Sequence, residues 1–236
     1  MEINFDHVEF RKDPYFIGVA HKVFEEDVYQ SLVETFPPLD LLPRWQPGKY
    51  NKYALNESQA SFHSYIAKHP LWGAFHHSIK SPAFPQFLVT MIKAYGGTVT
   101  HLVDQWFTRF EFAAMPADGG YIKPHTDTVQ KVITLVFSMV KPGDWNPAFG
   151  GGTDVLNPRD LSQPLTDYEA PLDTFEKVYT YEYVPNQCVI FVKSANSWHS
   201  VGPMTGVGSS MLRRTITLNV ETSDTLKGWP KEVRHR

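Results

Sequence analysis

Residues 121–127 read Tyr-Ile-Lys-Pro-His-Thr-Asp. They place His125 and Asp127 two positions apart, after Asp118-Gly119-Gly120 and before the apolar run 132–137. On an extended chain, residues i and i+2 project to the same face, so an imidazole and a carboxylate can aim at one point. That is two thirds of a 2-His-1-carboxylate set, the donor combination suited to non-heme Fe(II) with open positions. Taken alone, the pair equally describes a polar turn before a strand. A second histidine, His199, follows the apolar run 188–192 and is placed where that strand ends. Alone, it equally describes a half-buried imidazole bonded to a backbone carbonyl.

The next apolar stretch, 211–220, alternates with period two. Ile216, Leu218 and Val220 share one face, suited to packing under helices. Arg213, Thr215, Thr217 and Asn219 share the other. A face carrying Arg and two Thr suits a cavity that holds an anion, because a guanidinium pairs with a carboxylate through two parallel hydrogen bonds. Parity puts Arg214 on the packing face.

The order H-x-D, then a histidine after an apolar strand, then an arginine on the following strand resembles the Fe(II)/2-oxoglutarate-dependent dioxygenases, most of all their prolyl 4-hydroxylase-like branch. The resemblance covers roughly 107–220, and the lead-in 13–38 is also similar. It implies that His125, Asp127 and His199 are the iron ligands. It implies that Arg213 grips the distal carboxylate of 2-oxoglutarate, with Thr215 in the small hydroxyl position two residues later. Two tyrosines common in relatives are replaced by Ser138 and Met115. Tyr121 is retained in kind, and with Ser138 it is expected to line the co-substrate pocket. The implied cofactors are Fe(II), 2-oxoglutarate and O2, with ascorbate as an accessory reductant. The implied reaction is hydroxylation of a C–H bond in a prolyl or peptidyl residue, a free amino acid or a small metabolite, with release of succinate and CO2. The alternative from another class is a cupin-like metal protein without redox chemistry, an isomerase or a binding module.

The elements that must position these residues come from the rest of the chain. Its 236 residues, 42% hydrophobic and 20% charged, suffice for one domain with a sizeable core. The expected fold is mainly β with an α-helical N-terminal part: a double-stranded β-helix, or jelly roll, flanked by helices. Residues 1–98 would be helical support and 99–222 the barrel core. Helices are expected over 25–34, 59–68, 71–79 and 85–95, and residues 39–58 read as a long loop walling the entrance. His63, His69, His76 and His77 fall among these helices as surface or packing residues. Strands are expected over 15–23, 102–114, 131–140, 178–184 and 188–192. Arg109 and Glu111 would pair with each other beside the pocket, and Tyr179, Tyr181 and Tyr183 would share one face. The proline-rich stretch 157–176 reads as a mobile insertion over the barrel mouth.

A net charge of −3 gives no basic footprint for nucleic acid. Gly150-Gly151-Gly152 lacks the helix-opening context of a phosphate loop. A single cysteine, Cys188, and no signal-like or membrane-length apolar run point to a cytoplasmic protein with no membrane partner.

Overall fold

The computed structural model describes residues 1–46, 50–99, 106–160, 162, 165 and 167–222. In chain order the strands are β1 (Val8–Arg11), β2 (Ile17–His21), β3 (Arg44–Trp45), β4 (Lys52–Asn56), β5 (Trp106–Pro116), β6 (Ile122–His125), β7 (Lys131–Ser138), β8 (Thr153–Pro158), β9 (Phe175–Tyr181), β10 (Gln187–Val192), β11 (His199–Val201) and β12 (Leu212–Thr222). Four helices lie between β2 and β5: α1 (Glu26–Glu34), α2 (Ala60–Lys68), α3 (Pro70–Lys80) and α4 (Ala83–Ala94). The strands form an eight-stranded sheet, β1-β2-β10-β7-β12-β5-β4-β3, and a four-stranded sheet, β6-β11-β8-β9. Among the described residues all strand pairings are antiparallel. Two antiparallel sheets backed by helices give the expected jelly-roll architecture.

The large sheet has two unlike faces because its strands alternate. On β12, Ile216, Leu218 and Val220 are fully buried against the helical layer. On β5, Phe110 and Phe112 point the same way. Phe112 meets Trp72 edge-on at 4.8 Å and Phe110 meets Phe75 at 5.6 Å. Edge-to-face contacts of this kind add to the hydrophobic gain of burying large rings. The opposite face of the sheet looks toward the small sheet and lines a cavity.

Several expectations change. Residues 39–58 are not one long loop, since β3 and β4 lie inside them and β4 pairs with β5. The short run Lys52–Asn56 has only Ala54 and Leu55 buried, so its periodicity was hidden among polar neighbours. Residues 1–98 are therefore not helical support alone, because four strands of the large sheet come from them. β5 starts at Trp106 and runs on to Pro116, while residues 100–105 and the C-terminal tail from 223 lie outside the described residues. β9 stops at Tyr181. A bulge between Val155 and Leu156 breaks its pairing with β8, and Tyr183 belongs to a different apolar cluster from Tyr179 and Tyr181. No described helix is long and apolar enough to cross a membrane.

Candidate metal and acid-binding site

His199 does not end the β10 strand. β10 stops at Val192, the chain turns through 193–198 over the buried Trp198, and His199 opens β11 in the other sheet. There it stands directly across the antiparallel pair from His125, with ring centroids 4.2 Å apart. Asp127 follows two residues after His125, in the turn before β7. One donor atom from each of the three lies within 4.8 Å of the others.

Each side chain is held in one orientation. His125 Nδ1 is 2.9 Å from the Lys123 carbonyl and His199 Nδ1 is 3.0 Å from the Ser197 carbonyl. A carbonyl oxygen only accepts, so Nδ1 carries the proton in both rings and each Nε2 keeps a lone pair for an electrophile. Burial holds both imidazoles below their ordinary range and therefore neutral; His199 is pushed down to about 3, with His125 adding to the effect of burial. Burial alone would raise Asp127, but Lys131, His199 and His125 together outweigh it and keep the carboxylate ionised. Lys131 Nζ donates to Asp127 Oδ1 at 2.9 Å, and Thr134 Oγ1 donates to Oδ2 at 2.8 Å. Thr134 also lies 3.0 Å from the Asn219 side-chain oxygen position. A hydroxyl has one proton, so the Asn219 amide is satisfied here with its NH2 turned toward Thr134. Two neutral, pre-oriented imidazoles and one ionised carboxylate form a donor set that fits a divalent first-row metal.

Between the sheets lies a cavity of about 690 Å³, lined at one place by His125, Asp127 and His199 and elsewhere by Arg213, Thr215, Thr217 and Asn219. Arg213 is 5% exposed. Its Nε donates to the Gly151 carbonyl, and its guanidinium lies 5.1 Å over the Tyr183 ring. Gly151 takes φ +86°, and a Cβ there would crowd Trp145, Met204 and Arg213 Cδ at 3.0–3.3 Å; glycine is what allows the backbone this close to Arg213. Burial lowers the guanidinium to about 10, opposed only by Tyr183, so it stays charged. Among the described residues no carboxylate pairs with it. Arg214 points the other way, 5.8 Å from the Phe36 ring.

Other expected pocket residues fall elsewhere. Ser138 is buried but does not line the cavity; it stands opposite Thr215 in the ladder, and its carbonyl accepts from Tyr29 Oη at 2.9 Å. Tyr121 lines a second cavity of about 500 Å³ with Pro124, Leu172 and Pro203, and its ring meets Tyr50 edge-on. Arg109 and Glu111 do not pair with each other. Adjacent strands supply nearer partners: Arg109 Nε binds Glu221 at 2.6 Å, and Lys52 Nζ binds Glu111 at 2.7 Å. Of the four helical histidines, His76 contacts Glu57 at 2.5 Å, and Glu57 reaches the cavity. Lys131, four residues after Asp127, and Thr134 were the functional side chains not picked out from sequence, although Thr134 shares the strand parity of Val136.

A sequence model of the 2OG-Fe(II) oxygenase superfamily matches residues 110–221. No curated protein matches the chain in sequence. The fold is similar to that of a Pseudomonas putida prolyl-4-hydroxylase, with TM-score 0.51 and 15% identity over 87% of this chain and 92% of that one. It is similar to a Trichoplax adhaerens prolyl hydroxylase in complex with a hypoxia inducible factor peptide fragment, at 0.50 and 13% over 87% and 83%. It is also similar to HygX from Streptomyces hygroscopicus with nickel and 2-oxoglutarate bound, at 0.52 and 10% over 91% and 85%.

Proposed function

Over residues 110–221 the chain belongs to the 2OG-Fe(II) oxygenase superfamily, and from that premise we propose that it is an Fe(II)- and 2-oxoglutarate-dependent dioxygenase that hydroxylates a C–H bond. The observation that carries this reading is one cavity with two unlike ends. One presents a neutral His, a neutral His and an ionised Asp; the other presents a buried arginine that no carboxylate neutralises among the described residues.

His125, Asp127 and His199 would hold Fe(II), which when bound supplies the activation of O2 and the oxidation of co-substrate and substrate. The remaining work belongs to the protein. Arg213 binds the distal carboxylate of 2-oxoglutarate, because a buried cation gains most from a charge-assisted fork. Thr215, on the same face, offers a hydroxyl beside it. Trp145, Tyr183 and Met204 surround Arg213 with apolar surface that keeps water from competing. Thr134 and Lys131 fix the Asp127 carboxylate so that its direction is set before any ligand arrives. One oxygen atom of O2 ends in succinate and the other in the hydroxylated product, with CO2 released.

The test is consumption of 2-oxoglutarate with Fe(II) and O2, read as succinate formed. Wild-type protein should turn over and Asp127→Ala should not. A wild-type protein that neither binds nor consumes 2-oxoglutarate would return the site to a non-redox metal protein of cupin type.

A further inference from the structure

The wall of the cavity beyond the candidate iron site is built from charges of alternating sign. β4 contributes Lys52, β5 contributes Glu111 and Arg109, β12 contributes Glu221, and Lys131 opens β7. Cross-strand contacts order them: Lys52 holds Glu111 at 2.7 Å and Arg109 holds Glu221 at 2.6 Å. Lys131 stands opposite Glu221 in the ladder, and after burial and Asp127 the groups that act on its ammonium are Glu111 and Glu221. Four of the five side chains are less than a third exposed: Lys52 and Glu111 at 17% each, Glu221 at 13% and Lys131 at 29%.

The mouth is crossed from both sides. Residues 168–170 pair with the free edge of β6 through Thr126 N to Tyr168 O at 2.9 Å and Ala170 N to Pro124 O at 3.3 Å, which sets Glu169 beside His125. From the other side Tyr50 donates its hydroxyl to Glu169. The cavity, about 690 Å³ and open to one side, is of small-molecule size and must hold 2-oxoglutarate as well.

We propose that the substrate hydroxylated here is a small zwitterion of the free amino-acid class, its ammonium set against Glu221 and Glu111 and its carboxylate against Lys131, which stands beside Glu221 on the neighbouring strand. This rests on the dioxygenase reading and narrows it. A polypeptide segment carries no main-chain charge. Laid on this wall it would cover the faces these paired ions still present to water and return only neutral hydrogen bonds, which leaves that desolvation cost uncompensated. A molecule bearing both charges at short separation replaces that water with charge-assisted hydrogen bonds at each end.

The experiment is an anaerobic titration of the Fe(II)- and 2-oxoglutarate-loaded protein, read by the visible metal-to-ligand absorption band. The probes are the free L-amino acids, their N-acetyl amides, neutral sugars and an extended proline-containing peptide. Formation of the band reports the iron and co-substrate site; its further perturbation reports substrate. At least one free amino acid should perturb the band and raise succinate formation, with both effects weakened tenfold or more in its N-acetyl amide. Glu221→Gln and Glu111→Gln, both close in shape to the native residues, should each raise the amino-acid concentration required by tenfold or more. Perturbation by the peptide, a sugar or the capped forms at equal or lower concentration overturns the proposal, as does a formed band that no free amino acid changes. Absence of the band with wild-type protein overturns the dioxygenase reading and this inference together.

Discussion

The two faces of β12 share one backbone and one set of ladder hydrogen bonds, yet they do opposite work. Ile216, Leu218 and Val220 sit at no measurable exposure against the helices, where rings from α2, α3 and β5 interlock. Arg213, Thr215, Thr217 and Asn219 alternate with them and line the cavity. The helix side gains by removing hydrocarbon from water, at about 25 cal/mol per Å². The cavity side keeps polar groups under low exposure, a cost that is tolerated when a ligand or a neighbour satisfies them. Alternation lets one strand serve both ends without compromise, and a one-residue slip would exchange the two sets.

This contrast can be broken most completely at the metal end. Asp127→Ala and His199→Ala should each abolish stoichiometric metal uptake, measured by metal analysis of the purified protein. His199→Ala should keep an unfolding transition close to wild type, whereas Asp127→Ala lowers it by leaving the Lys131 ammonium and the Thr134 hydroxyl without their partner. Retained metal in both would separate the triad from its assigned role. On the opposite face, Phe112→Ala should cost about 3–5 kcal/mol, read from denaturant midpoints. The fraction that remains folded should still take up one metal, since the ring touches Phe36, Trp72 and Phe62 rather than the site.

A sharper test compares neighbours of opposite parity. Arg213→Ala should raise the 2-oxoglutarate requirement about thirtyfold or more, roughly 2 kcal/mol, because a buried charge-assisted contact is lost. Arg214→Ala, its side chain over Phe36, should change it little. The reverse ranking would mean that the two faces are exchanged. The smallest effect concerns Glu57, where the helical layer meets the cavity rim. Burial would raise its carboxyl, but hydrogen bonds from His76 and Lys80 outweigh this and lower it from its ordinary 4.5. A folded value below the unfolded one means that stabilisation is present above the ordinary value and lost as pH falls below it. Wild type should therefore lose stability on acidification below about pH 4.5 more steeply than Glu57→Gln, by about 1 kcal/mol, in thermal melts across that range.

How much was legible depended on the reach of each signal. The period-two pattern of 211–220 told both faces of β12, because side-chain alternation is a property of any extended chain. The spacing of His125 and Asp127 likewise carried its geometry locally, and the helices followed from apolar spacing, with the acidic first turn Glu26-Asp27 marking α1 alone. Lys52–Asn56 was missed because five residues with two buried positions hold too little periodicity. Tyr121 and Ser138 were expected in the pocket by likeness to relatives, yet the first lines a second cavity and the second, buried opposite Thr215, does not reach the cavity lining. Arg109 and Glu111 were read as partners because they are two apart on one strand. Arg109 stands opposite Asn219 and Glu111 opposite Asn56, so Glu221 and Lys52 reach them diagonally from the neighbouring strands with long side chains, contacts that spacing along one strand does not show.

By itself, then, the sequence determined the donor types, the strand parity that separates Arg213 from Arg214, and the helical shielding of one sheet face. All of these are set within a few residues by backbone geometry. Only the tertiary structure decided that His199 opens a new strand and stands across from His125, that Lys131 and Thr134 hold Asp127, and that charges from β4, β5, β7 and β12 meet in one wall. Those contacts join residues up to 112 positions apart, as Arg109 and Glu221 are, and pairing register rather than local preference brings them together.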